Sequence, residues 1–263
     1  MDKKSPKVIY YRDELNDEFS KAQITPKRID ASYRYERKSF FAKAAHVFLY
    51  RFVAIPIAFV YLKVKFGHKI INKKALKPFR KKACFIYGNH TQTSADPLIP
   101  TFITFPYRAN IIVHPNNVSI PIVGGLMPYL GAIPLPDDMA ANRNFIKCIE
   151  ARLQKGQAVF IYPEAHIWPY FTGIRNFKDT SFFYPVKYDT PVFCFTNTYQ
   201  RRKWRKTPRM VTYIDGPFYK DTQLPPRVQK SELRDRVYEC MCERAKNSNV
   251  TIIKYVKEET IDD

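Results

Sequence analysis

Two short stretches hold residues whose types and spacing can do chemistry. The first is FIYGNHTQTSADP, where an apolar run ends at Gly88 and Asn89, His90 and Asp96 come next. A histidine just past a strand, with an aspartate a few residues on, is a base-and-orienter pair. The carboxylate accepts a hydrogen bond from one imidazole nitrogen and fixes the tautomer. The other nitrogen is left free to take a proton. No GxSxG nucleophile motif accompanies the pair, so a substrate hydroxyl, and not only a protein side chain, is a candidate for the group deprotonated. General-base catalysis of this kind is worth about 10²–10⁴-fold. The plainer reading is a turn histidine bonded to backbone, and for a lone histidine it is the commoner one.

The second stretch is VFIYPEAHIWPYFTGIRNFKDTSFF. An apolar run ends in Pro163-Glu164, and Arg175 and Lys178 lie beyond it in a loop. Two cations this close in sequence can meet a phosphate from one side. Glu164 can bind a substrate hydroxyl or hold one of those cations. Phe177, Phe182 and Phe183 offer apolar surface nearby. Read singly, IRNFK is a surface turn.

The elements around these stretches must position them. ACFIYG, ANIIVH, QAVFIYP, TPVFCFTNTY and RMVTYIDGP read as strands. NRNFIKCIEARLQKG is an amphipathic helix with Phe145, Ile149 and Leu153 on one face, stopped by Gly156. KSELRDRVYECMCERAKN is a C-terminal helix with Ser231 as its expected N-cap. Strands alternating with helices predict an α/β fold, with a mostly parallel central sheet flanked by helices. Sites in such sheets collect at the carboxyl ends of the strands.

Composition sets further bounds. The chain has 263 residues, of which 45% are hydrophobic, so a sizeable core is expected and wholesale disorder is excluded. Lys plus Arg is 44 and Asp plus Glu is 24, a net charge of +20 that favours a polyanionic partner. High aromatic content fits both RNA binding and a membrane interface. No RNP-like motif, helix-turn-helix signature or zinc spacing supports nucleic acid, and none is expected as a partner. Five cysteines without a CxxC pair argue against a disulfide framework and predict a reducing compartment. The charged N-terminus lacks the apolar core of a secretory leader.

Three regions are expected: a polar arm over residues 1–38, an apolar helical segment plus basic cluster over 39–82, and an α/β catalytic domain over 83–263. In the second region Phe41, Ala45, Phe48, Phe52, Ile55, Phe59 and Leu62 fall on one helical face, with Lys43, His46 and Arg51 off it. Ala44–Leu62 is about long enough to span a bilayer. Arg51 near its middle costs roughly 2.5–3.5 kcal/mol on insertion, which an interfacial helix avoids. Interfacial attachment is the leading expectation, with a span and an ordinary core helix as alternatives. Lys69, Lys73, Lys74, Lys77, Arg80, Lys81 and Lys82 come next, a cluster suited to anionic headgroups.

The order of these pieces resembles the glycerolipid acyltransferase family, which includes 1-acylglycerol-3-phosphate acyltransferases. GNHTQTSADP resembles its first block, and GGLMPYLGAIPLP, with Gly131-Ala132-Ile133, its second. FIYPEAHIW resembles the third, and TPVFCF, with Pro191, the fourth. The resemblance covers roughly residues 40–215. Five residues, not the usual four, separate His90 from Asp96. Pro136-Asp137 stands where the second block usually ends in Arg, with Arg143 as a possible substitute. Ala165 replaces the glycine of the third block, and His166 comes after it. The chain is thus expected to be a divergent member.

The resemblance implies an O-acyltransferase that moves an acyl group from an acyl-CoA or acyl carrier protein thioester to a lysophospholipid hydroxyl. The implied acceptor is 1-acyl-glycerol-3-phosphate. His90 would be the general base and Asp96 its orienter. Asn89, Glu164, Arg175 and Lys178 would bind substrate. No cofactor or metal is expected beyond the thioester co-substrate. The expected setting is the cytoplasmic face of a membrane with anionic lipid. Two other classes stay in view: a non-catalytic basic protein binding membrane or nucleic acid, and a hydrolase using Ser94 or Cys84 with His90.

Overall fold

The computed structural model describes residues 5–19, 24–36, 44, 47–121 and 123–258. Seven strands form the main sheet: β2 (Lys69–Ile71), β3 (Cys84–Gly88), β4 (Ala109–Val113), β5 (Ala132–Pro134), β6 (Ala158–Ile161), β7 (Val192–Gln200) and β8 (Arg209–Phe218). Their order is β2-β8-β7-β3-β6-β4-β5. Only the β7–β8 pair is antiparallel, so the five strands from β7 to β5 all run the same way. A separate parallel pair joins β1 (Lys7–Tyr11) to β9 (Ile253–Lys257).

Strand β3 is buried along its whole length, because β6 and β7 flank it and helices cover both faces. Its side chains alternate between two cores. Phe85 and Tyr87 face a layer formed by α4 (Met139–Gln154), α5 (Phe183–Tyr188) and α6 (Pro226–Ala245). Cys84 and Ile86 face the other layer, which holds α1 (Ile55–Phe66) and α2 (Ile99–Thr104); the short α3 (Pro115–Ser119) comes after β4.

The five strands read from sequence all form. Strands β2 and β5 escape that reading because they span three residues each, and β1 and β9 because KVIYY and IKYVK mix lysine and tyrosine into half-exposed runs with no apolar stretch. Helix α4 begins earlier than its pattern indicates: Asp138 is the cap, accepting from the Ala141 amide at 2.7 Å. Gly156, at φ +63°, lies just past its end. The expected cap of α6 is corrected. The helix starts at Pro226, whose fixed φ suits a first helical position, and Ser231 lies inside it, donating to the Val228 carbonyl.

The apolar stripe of residues 41–62 is also redrawn. A π-helical turn over Leu49–Ala54 shifts the helical phase of residues 55–66. Tyr50, Ala58, Leu62 and Phe66 face the core, while Phe48, Phe52 and Phe59 are exposed. A segment apolar on all sides does not announce which face will be buried. Phe41, Ala45, Lys43 and His46 lie outside the described residues. Among the described residues, no helix is long and apolar enough to cross a membrane.

His68, just after α1, is buried against β8, with Nε2 2.8 Å from the Thr212 hydroxyl. Burial first, then the charge of Lys63, push its pKa from 6.5 down to about 4. The folded state thus binds the proton less well than the unfolded chain. This contribution to stability is full above about pH 6.5 and is lost as pH falls toward 4. It amounts to about 3 kcal/mol. Urea unfolding of His68→Asn is expected to lack this part of the acid destabilisation seen in the wild type. Equal pH slopes for the two proteins would contradict the assignment.

Candidate active site

Strands β3 and β6 are parallel neighbours, so the loops at their carboxyl ends lie side by side. This brings His90 and Glu164 together: the His90 amide donates to Glu164 Oε2 at 3.0 Å. His90 Nδ1 lies 2.8 Å from Asp96 Oδ2, with 17% of the imidazole side chain exposed and the carboxylate fully buried. The ring stacks on Tyr162, with centroids 4.5 Å apart.

The approach of the two loops depends on Gly88. A Cβ there would lie 2.0 Å from the Phe195 ring on β7. Phe195 packs edge-on against Tyr162, so this contact sets the platform beneath the imidazole.

Asp96 Oδ2 also accepts from the Thr91 and Gln92 amides, each at 2.8 Å. Burial pushes its carboxyl above the usual carboxylate range, and the His90 ring and the two amides pull the other way. Three donors on one oxygen are the surroundings of an ionised carboxylate. The extra residue between His90 and Asp96 is absorbed in this loop without loss of the pairing.

Asp96 Oδ1 receives a long contact, 3.4 Å, from the Asn197 side-chain amide. Asn197 Oδ1 accepts from Thr212, whose hydroxyl oxygen lies 2.8 Å from His68. A buried polar chain therefore runs from β8 through β7 to the aspartate. Asn197 and Tyr162 do not stand out in the sequence. Asn197 has one signal there, an amide inside the largely apolar VFCFTNTYQ, since a buried amide demands partners; Tyr162, at the end of QAVFIYP, has none.

Asn89 is committed elsewhere. Its side chain donates to the Asn197 carbonyl at 3.0 Å and accepts from the Asn197 amide at 2.8 Å. It ties β3 to β7 and lies 1% exposed. Glu164 and Arg175 are likewise internal. Glu164 accepts from the His90 and Arg175 amides, at 3.0 and 3.2 Å. Arg175 donates to the carbonyls of Glu164 (3.0 Å) and Glu14 (3.1 Å) and to that of His166. Its guanidinium lies over Trp168, 4.9 Å from the ring centroid. Burial pushes Glu164 up, opposed by Arg175. Arg175 is thus a strut under the histidine loop, and no nitrogen of it faces solvent for a phosphate. Lys178 is exposed; hydrogen bonds from the Asn16 side chain and the Leu15 amide hold nearby Asp13 below the ordinary carboxylate range, with the Lys178 charge adding least.

The departures from the family pattern have local reasons. Ala165 adopts φ +62°, the left-handed region where glycine is at ease. The backbone therefore keeps the conformation for which the family's glycine is suited. Asp137 accepts from the Ile29 amide at 2.5 Å and its own amide donates to Ile29 at 3.1 Å, so it docks the N-terminal segment. Arg143 is exposed on α4. His166 pairs with Glu18 at 3.1 Å.

The hydrolase alternatives fare poorly. Cys84 lies at the opposite end of β3 from His90, and burial raises its thiol to about 12. Ser94 accepts a hydrogen bond from Tyr61 at 2.6 Å. Cys194, Asp215 and Cys240 bring three potential metal ligands within 4.8 Å of one another, but Asp215 is bound at both oxygens by Arg244 (2.6 and 2.8 Å).

The histidine–aspartate pair thus lies at the carboxyl end of a mostly parallel α/β sheet, with a second carboxylate beside it. Residues 68–196 match the sequence pattern of the family described as Acyltransferase. That match supports a chain of the glycerolipid acyltransferase kind. Among solved structures it resembles the 1-acyl-sn-glycerophosphate (LPA) acyltransferase PlsC from Thermotoga maritima. The TM-score is 0.54 at 15% identity, over 78% of this chain and 84% of that one, a likeness of fold. No curated protein matches the sequence.

Proposed function

We propose that the chain transfers an acyl group from a thioester donor, acyl-CoA or acyl carrier protein, to the free hydroxyl of a lysophospholipid. The favoured acceptor is 1-acyl-glycerol-3-phosphate, the acyl acceptor in the name of the structurally similar PlsC. The observation that carries this reading is the 2.8 Å pairing of His90 Nδ1 with Asp96, which leaves Nε2 for a substrate proton. His90 Nε2 takes the hydroxyl proton as the oxygen attacks the thioester carbonyl. A tetrahedral intermediate forms, the C–S bond breaks, and His90 returns the proton to the leaving thiolate. Asp96 holds the ring and stabilises the imidazolium. Glu164 acts by positioning, through the backbone of residue 90.

The reaction is placed at the cytoplasmic face of a membrane with anionic lipid. The exposed Phe48, Phe52, Ile57 and Phe59 support interfacial attachment through the segment that includes α1.

The test is an assay of purified protein with several lysolipids and both classes of thioester. Ester product is expected with lysophosphatidate, and His90→Ala should lose about 10²–10⁴-fold in kcat with an unchanged thermal melt. Wild-type turnover by that variant would remove the general base from the reading. Turnover only of other lysolipids would move the acceptor assignment.

A further inference from the structure

The loop from β7 to β8 reads Arg201-Arg202-Lys203-Trp204-Arg205-Lys206, five cations around one tryptophan. No acidic residue occurs between Asp189 and Asp215. Trp204 is 79% exposed, and the Lys203 ammonium lies 5.1 Å from its ring centroid. An indole is an apolar body with a single donor, and leaving it in water forfeits a large burial. Indole and cations together match a water–lipid boundary, where the ring sits at headgroup depth and the charges meet phosphates.

The loop's position supports the same partner. Arg202 and Arg205 donate to the carbonyls of Lys65 and Val64, each at 2.9 Å. They cap the carboxyl-terminal turn of α1 and hold the loop against it. The outer side of α1 carries the exposed Ile57, Phe59, Val60 and Val64. Cationic loop and apolar face thus meet at Val64. The loop leaves β7 at its carboxyl end, the end at which His90 comes after the parallel β3. Tyr61 of α1 also donates to Ser94, between His90 and Asp96.

We infer that the β7–β8 loop is a second docking element. It seats Trp204 and its cations in an anionic lipid surface beside α1 and turns the carboxyl ends of the sheet toward the bilayer. The inference rests on reading the chain as a lipid-modifying enzyme, but its test needs no turnover.

The chain has two tryptophans, and Trp168 is 1% exposed, so an emission change on docking reports Trp204. The full-length protein is titrated with vesicles of phosphatidylcholine containing one-third phosphatidylglycerol. A blue shift is expected, with protection from an aqueous quencher, and it should be much weaker on pure phosphatidylcholine. Lys203 and Lys206, which do not cap α1, are neutralised together as Lys203→Gln/Lys206→Gln. Binding should weaken about 25-fold, at roughly fivefold per cation. Lys147→Gln, on the exposed side of α4 across the sheet from α1, should bind as wild type. His90→Ala should also bind fully, which separates failure of docking from failure of the catalytic reading. An unchanged Trp204 spectrum on vesicles that sediment with the protein would overturn the inference. So would full binding by the Lys203/Lys206 variant, or a shift elicited by RNA and not by vesicles.

Discussion

Asp96→Asn is expected to lower kcat about 10²–10⁴-fold with little change in KM. Oδ2 accepts from His90 Nδ1 and from two backbone amides, so only the oxygen of an amide group can occupy that place. The new NH2 must then sit at Oδ1 and face the Asn197 amide, a second donor. His90 keeps a hydrogen-bond acceptor, but the charge that stabilises an imidazolium is gone. The loss therefore falls on the transition state, where the ring carries the proton, and not on acceptor binding. Steady-state kinetics beside a thermal melt measure both. A variant within about threefold of wild type in kcat would show that Asp96 does not serve the base.

Glu164→Ala is expected to act on folding before it acts on substrate. The change leaves the Arg175 guanidinium buried without its carboxylate, and the amides of His90 and Arg175 without acceptors. Breaking one side of a buried pair costs about 3–5 kcal/mol. That is a large share of the 5–15 kcal/mol typical of a domain. Urea denaturation should show the midpoint falling by that measure. The reading of Glu164 as a headgroup ligand makes the opposite forecast: an unchanged midpoint and a raised KM. Arg175→Met breaks the same pair from the other side, leaving the buried Glu164 carboxylate without its cation and the carbonyls of Glu14, Glu164 and His166 without a donor. Under the structural account it too lowers the urea midpoint, whereas a phosphate-binding arginine would leave the midpoint unchanged and raise KM.

The main sheet and the histidine–aspartate pair were legible because each is written locally. Long apolar runs such as CFIYG must be covered on both faces, and His90 and Asp96 lie within one turn of chain. The roles of Asn89, Glu164 and Arg175 were not legible, since partners far along the chain decide them. Glu14 lies in the N-terminal segment, and Asn197 is on β7, more than a hundred residues from Asn89. A cation three positions from another looks like a phosphate clamp until the fold brings carbonyl oxygens around it. The docked face of α1 was hidden for a different reason. Its apolar residues encircle the helix, and a π-helical turn resets their phase.

The pairing of β1 with β9 has a consequence for the loop after β6. Tyr11 from one strand and Tyr255 from the other press on Trp168, whose amide donates to the His90 carbonyl at 3.2 Å. Two segments far apart along the polypeptide thus form a buckle over the backbone of the His90 loop. Fraying of either half would be felt at residue 90, although neither half touches it.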